Sequence, residues 1–295
     1  MTVFTCSIYP PVTWLWFQTL IRVVPDSWKI LIYDASGLLE KKDYPGAEIV
    51  RMPNWEHGRK IDHALQHYPD DVFFVMDDDS FLFSREPLMQ ALQYLEARPD
   101  CILYSFHENS YQPMRIEGQS IPRMGTYSFL VHHERLKQLP PFSFRTRPHK
   151  ENILEGDFPY WDTGSWLHYN LLKMGKQVHC APQSDEHLIT LFGTSSAYVS
   201  LWNAPRRTWR NFWKKLAPDP ERIWMDSQHI GRNLSMMLSH QLYQECTGRT
   251  FLPISYSYDD LARQARLYTA GNEALEWFLN RNEETAQLIK KVILR

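Results

Sequence analysis

The sequence predicts an α/β fold, a mostly parallel β-sheet flanked by helices and followed by a helical appendage. Two observations carry that expectation. Short apolar runs alternate with stretches of helical spacing through the first two hundred residues, as βαβ units require. Beyond about Trp202 there are no clear strand-like runs, while Ile230–Cys246 and Tyr258–Leu294 keep a helical period. The expected division is residues 1–200 for the α/β part and 201–295 for the appendage.

The elements follow in order along the chain. Val3–Tyr9 is a buried strand stopped by Pro10-Pro11, and Trp14–Val24 has the spacing of a helix. Lys29–Tyr33 is a second strand, closed by the turn residues Asp34-Ala-Ser-Gly37. Ala47–Arg51 is a third, His57–His67 is helical, and Val72–Met76 is the most strand-like run of all. Then come a helix at Glu86–Ala97 and strands at Cys101–Phe106 and Tyr127–His132. A helix at Gly164–Met174 stops at Gly175, and Gln177–Cys180 is a short strand.

Bulk composition narrows the class. Of 295 residues, 43% are hydrophobic and 22% charged, an ordinary globular mixture. The net charge of −2 gives no basic excess of the kind that points to a nucleic-acid partner. Cys6, Cys101, Cys180 and Cys246 form no CxxC pair and read as reduced thiols rather than a zinc site or a disulfide framework. The first residues lack a basic leader and no run is apolar enough to span a bilayer. The expectation is a cytoplasmic protein, with room for peripheral contact at the inner face of a membrane.

The chemistry is concentrated in VFFVMDDDSFLF, where three carboxylates interrupt two strongly apolar runs. In a parallel sheet, ligands gather at the carboxyl ends of strands, where both Asp34 and the Asp77–Asp79 cluster would stand. Charge next to a core needs compensation, and a hard divalent cation such as Mg²⁺ or Mn²⁺ supplies it. In an extended segment alternate side chains share a side, so Asp77 and Asp79 would act together with Asp78 facing elsewhere. The competing reading is an exposed acidic turn. For Asp34 the competing reading, an ordinary turn residue, is the stronger one when that residue is taken alone.

The first two-thirds of the chain resembles the GT-A-fold glycosyltransferases, nearest in layout to the family 2 inverting enzymes. The resemblance rests on the order of the first strand, ILIYDASG, HGRKIDHALQH, VFFVMDDDSF, GTYSFLVHHERL and WDTGSWLHYNLLKMGKQV. It implies a GT-A (Rossmann-like) sheet and an enzyme moving a sugar from a nucleoside-diphosphate sugar, a UDP-sugar first of all, to an acceptor hydroxyl with inversion. The acceptor would be a glycan, a lipid-linked glycan or another hydroxyl compound. The resemblance also implies roles for individual residues. Asp34 would contact the base, Asp77 and Asp79 would form the D-x-D pair on Mn²⁺ or Mg²⁺, and Asp162 would be the general base. His187 would be a third metal ligand by its order in the chain. The family often has Glu-Asp where this chain has Trp161-Asp162, and Trp161 offers a stacking wall for a sugar ring instead.

Each of these residues also has a plainer role open to it. Asp162 precedes a helical run and could simply cap it. Glu155 and Asp157 are reserve candidates for the base. Arg59 and Lys60 could meet the nucleotide or form a solvated helix face. His187 could be a loop histidine, and Gly193-Thr194-Ser195-Ser196 either a diphosphate cradle or a plain turn. The segment NAPRRTWRNFWKKL could face a membrane, a nucleic acid or a glycan, or pack its aromatics inward. Two other functions compete. A nucleotidyltransferase would carry a Gly-rich basic loop after the first strand, where this chain has YPPVTWLW. A non-catalytic nucleotide-sugar or glycan binder has no need of the full set Asp34, Asp77, Asp79 and Asp162.

Overall fold

A computed structural model of the chain describes residues 1–148, 160–182, 187–201, 223–253, 257–268 and 272–294. The strands are β1 (Thr2–Ser7), β2 (Lys29–Asp34), β3 (Ala47–Arg51), β4 (Val72–Met76), β5 (Ser80–Leu82), β6 (Cys101–Ser105), β7 (Glu108–Ile116), β8 (Gln119–Met124), β9 (Ser128–His132), β10 (Arg147–Pro148), β11 (Tyr160–Trp161), β12 (Gln177–Cys180) and β13 (Leu188–Thr190). The helices are α1 (Pro10–Leu20), α2 (His57–His67), α3 (Glu86–Ala97), α4 (His133–Lys137), α5 (Ser165–Lys173), α6 (Thr194–Leu201), α7 (Ile223–Thr247), α8 (Tyr258–Tyr268) and α9 (Glu273–Ile293).

Seven strands form one sheet in the order β12-β6-β9-β4-β1-β2-β3. All its pairs are parallel except those made by β9, which runs antiparallel to both β4 and β6. The expected mostly parallel α/β sheet is present. Its central strands are buried on both faces, which is why β4 reads as a continuous apolar run and why even Thr2, Thr5 and Ser7 of β1 are buried. Ser105 and Val75 both pair with Phe129, so β6 ends one residue short of β4. One face of the sheet carries a core that includes Phe4, Tyr33, Ile61, Val75, Phe129 and Phe144.

The chain divides into two compact units. The first, Met1–Ser7, Val24–Ser80 and Ser84–Leu188, holds the sheet. The second, Ile8–Val23, Phe81–Phe83 and Ile189–Arg295, is built on the C-terminal helices. In it α1 packs on α7 and α9, and α6 packs on α7. Buried polar bonds fix its interior: Ser235 Oγ donates to Asn282 Oδ1 at 3.0 Å, and Arg281 Nε donates to the Thr190 carbonyl at 2.9 Å.

Three local differences from the sequence expectations have clear causes. Pro10-Pro11 opens α1 instead of merely ending the strand, since proline suits the first helical turn where its missing N–H is not needed. The β7–β8 hairpin is absent from the sequence reading because its strands are polar and carry Pro113 and Pro122. Its signal is the two-residue turn Glu117-Gly118, with φ of 51° and 81°, the positive pair that a tight hairpin demands. The helical stretch 258–294 is two helices, α8 and α9, and Asn272 caps the second by accepting from the Leu275 amide at 3.1 Å. Glu155, Asp157 and the segment 203–216 lie outside the described residues, as does the side chain of Trp161.

Candidate active site

Strand β4 delivers Asp77 to the carboxyl edge of the sheet. The Asp77 amide donates to the Tyr127 carbonyl at 2.8 Å, which continues the ladder with β9 by one residue. The chain then turns: the Ser80 amide donates to the Asp77 carbonyl at 3.0 Å. Residues 77–80 are therefore a turn and not an extension, so the alternation expected to align Asp77 with Asp79 does not apply. Burial separates the three carboxylates instead. Asp77 keeps 34% of its side chain exposed, while Asp78 and Asp79 are 4% and 6% exposed.

Asp77 lies among charges. Burial and then the negative charge of Asp162 push its carboxyl up to about 7, against the opposing pull of Lys60. Lys60 is 2% exposed and donates from Nζ to Asn54 Oδ1 at 3.0 Å. His57, the first residue of α2, brings Nε2 to 3.6 Å from Asp77 Oδ1, beyond hydrogen-bond reach. Burial, then Lys60, lowers the His57 ring to about 4 against the pull of Glu56 and Asp162, so it is neutral near pH 7.

Asp162, two residues before the cap of α5, is the other carboxylate whose charge reaches Asp77. Its Oδ1 accepts from the Thr163 amide at 2.7 Å, and its side chain is exposed. The helix-capping reading of Asp162 does not hold. Gly164, at φ 72°, occupies the cap position of α5, and no side chain caps that helix. Behind it sits Arg123, 2% exposed, donating from Nη1 to Ser165 Oγ at 3.1 Å. Burial lowers the Arg123 guanidinium from its usual value, and the charge of Asp162 opposes that shift.

The remaining expected site residues fall in different places. Asp34 is buried and its carboxylate is held by its own loop. Oδ1 accepts from the Ser36 amide and hydroxyl and the Gly37 amide, and Oδ2 accepts from the Leu39 amide. Arg59 is exposed and stacks its guanidinium 4.0 Å over the Trp55 ring. His187 lines a cavity of about 330 Å³ with Glu86, Gln90, Tyr104 and Phe106, and neither Asp77 nor Asp79 is among its walls. Gly193-Thr194-Ser195-Ser196 belongs to the second unit, where it opens α6 and Gly193 faces the Arg232 side chain. His57 and Arg123 are absent from the sequence reading. Their only signals were a helix start beside HGRK and a basic residue in a hairpin that was itself missed.

Among the described residues, no group of three or more His, Cys, Asp or Glu side chains is gathered closely enough to enclose a metal. A divalent ion of the Mg²⁺ type needs no such cage, being bound through one or two carboxylates with substrate phosphates and water filling the rest. The donor set fits that case. Asp77 and Asp162 repel each other, and the Nε2 atom of His57 is buried with no hydrogen-bond partner.

The fold and this edge define an α/β protein with an acidic turn at the carboxyl end of a central strand. Several solved structures align with this chain at low identity. A mannosyltransferase from Pyrobaculum calidifontis in complex with GDP-Man and Mn²⁺ aligns over 97% of this chain and 74% of its own, at 14% identity and TM-score 0.45. The bifunctional IspDF from Campylobacter jejuni aligns over 66% and 53%, at 11% and 0.42. Mouse xyloside xylosyltransferase 1 aligns over 47% and 69%, at 10% and 0.33. No family model matches the chain, and no curated protein matches it in sequence. Likeness this distant carries no inference about activity, which rests on the chain's own geometry.

Proposed function

We propose that the protein is a metal-dependent glycosyltransferase of the GT-A type, moving a sugar from a nucleoside-diphosphate sugar to an acceptor hydroxyl with inversion. The observation that carries this reading is the pairing of Asp77, at the end of β4, with Asp162, before α5, two carboxylates within reach of each other's charge. One is bound to the sheet and the other is exposed, which suits a division between holding a cation and taking a proton.

Asp77 would hold Mn²⁺ or Mg²⁺ directly, and Asp79 of the same turn would act on it through metal-bound water. When bound, the ion supplies Lewis-acid stabilisation of the departing diphosphate. Asp162 is the general base: its free carboxylate oxygen accepts the proton of the acceptor hydroxyl. The acceptor oxygen then bonds to the anomeric carbon, and the bond from that carbon to the diphosphate breaks with its electron pair on the leaving group. Arg123 lies behind the Asp162 turn, where its Nη1 donates to Ser165 Oγ at the start of α5. Arg59 and the Trp55 ring beneath it form a platform suited to the nucleotide. Asp34, held by its loop, would contact the base through Oδ2, which accepts one loop bond and keeps acceptor capacity.

A binding screen tests the reading. UDP- and GDP-sugars with Mn²⁺ are added, and the melting temperature is followed. A ligand at a hundred times its Kd stabilises by about 2.7 kcal/mol. The expected result is stabilisation by at least one nucleotide-sugar that disappears with EDTA and in Asp77→Asn. Stabilisation by none of them would sink the proposal.

A further inference from the structure

We propose that His57 is a direct nitrogen ligand of the divalent cation held by Asp77. The inference rests on the metal-dependent reading above and adds a donor that the sequence did not point to.

His57 Nε2 has no solvent-exposed surface and no hydrogen-bond partner. A buried ring nitrogen left in that state needs an explanation, and coordination to a metal ion is one. Asp77 Oδ1 stands 3.6 Å from that nitrogen, too far for a hydrogen bond. Two donors bound at right angles to one octahedral ion, each at roughly 2.1 Å, lie about 3 Å apart. A movement of about half an ångström would bring the two atoms to that separation.

The backbone around His57 is well fixed. Glu56 caps α2 by accepting from the Gly58 and Arg59 amides at 3.1 and 3.0 Å, and Glu56 also accepts from the Thr146 amide at 3.2 Å. Gly58 sits so tightly on the Phe144 carbonyl that a Cβ would overlap it. The first turn of α2 therefore presents His57 to Asp77 from a rigid mount, as a ligand requires. His187, the histidine expected by chain order, lies in a cavity that does not include Asp77. An imidazole added to carboxylate oxygens favours Mn²⁺ over the harder Mg²⁺.

Electron spin-echo spectroscopy of bound Mn²⁺ reads nitrogen ligation directly. Mn²⁺ is titrated into the wild type, His57→Gln, His187→Ala and Asp77→Asn, each with UDP and with GDP. The wild type and His187→Ala should show ¹⁴N modulation from imidazole. His57→Gln should bind Mn²⁺ at least about tenfold more weakly, with that modulation gone. Labelling the wild type and His187→Ala with ¹⁵N-histidine keeps the test decisive if His57→Gln does not fold. Modulation that persists in His57→Gln, or that vanishes in His187→Ala, overturns the inference. So does Mn²⁺ that binds the wild type, depends on Asp77 and shows no nitrogen coupling, an outcome that leaves the metal-dependent reading standing. Failure of the wild type to bind Mn²⁺ with either nucleotide removes both.

Discussion

The Gly164 amide donates to the Phe144 carbonyl at 2.8 Å, and this bond ties the turn that carries Asp162 to the helix that carries His57. The Phe144 amide in turn donates to Asp62 Oδ1 at 2.8 Å, and the Ser143 hydroxyl donates to Asp62 Oδ2 at 2.6 Å. Residues 143–146 form a strap between α2 and the start of α5. The two sides of the candidate site are thus set by one short segment.

Gly58→Ala tests the strap. Glycine to alanine inside a helix ordinarily stabilises by roughly 0.5–1 kcal/mol. Here the new Cβ would come closer than 3.0 Å to the Phe144 carbonyl and the Arg145 amide. The sign should reverse, with a loss of about 1–3 kcal/mol from overpacking. A urea midpoint that falls at unchanged slope would support this; a raised midpoint would count against the strap.

His168 supplies a pH test. It is buried in α5, and its Nδ1 accepts from the Met124 amide at 3.1 Å. Burial, then the charge of Arg123, pushes its ring down to about 3 from the usual 6.5. The unfolded ring takes up a proton below about 6.5 and the folded ring does not, so the unfolded state binds more protons in that window. The stability contribution is complete above pH 6.5 and is lost as pH falls toward 3, by at most about 1.4 kcal/mol per pH unit. Denaturation of the wild type between pH 6 and 4.5 should show the steeper decline, and His168→Gln the shallower. His57 has a shift of the same sign but is present in both proteins, so the difference isolates His168. Equal slopes would contradict this account.

Much of the frame was legible in the sequence because buried parallel strands announce themselves. Ala47–Arg51, His57–His67, Val72–Met76, Glu86–Ala97 and Gln177–Cys180 have the same bounds in the structure. The acidic cluster was visible as carboxylates breaking an apolar run. What the sequence could not carry was the turn at Asp77–Ser80, since local polarity does not distinguish extension from reversal. Nor could it place His57 beside Asp77 or Arg123 behind Asp162. Those relations come from a helix, a strand end and a hairpin that meet only through the fold.

Asp162→Asn and Asp77→Asn should separate proton transfer from cation binding. Loss of a general base costs about 10²–10⁴-fold in rate. Asp162→Asn also removes a like charge that opposes ionisation of Asp77, so Mn²⁺ affinity should hold or rise. Asp77→Asn should lose Mn²⁺ affinity itself. Calorimetric Mn²⁺ titration alongside kcat would check the pair; matching losses of affinity and rate in both variants would put the base elsewhere.

The most direct measurement is product analysis of donor turnover. The protein is incubated with UDP- and GDP-sugars, with Mn²⁺ or with EDTA, in the presence and absence of simple glycoside acceptors. The products are then separated by mass. The account predicts release of nucleoside diphosphate with the sugar on water or on an acceptor, dependent on Mn²⁺ and abolished in Asp77→Asn and Asp79→Ala. Turnover of nucleoside triphosphate and sugar phosphate to pyrophosphate, or donor cleavage indifferent to Mn²⁺ and to both substitutions, would contradict it.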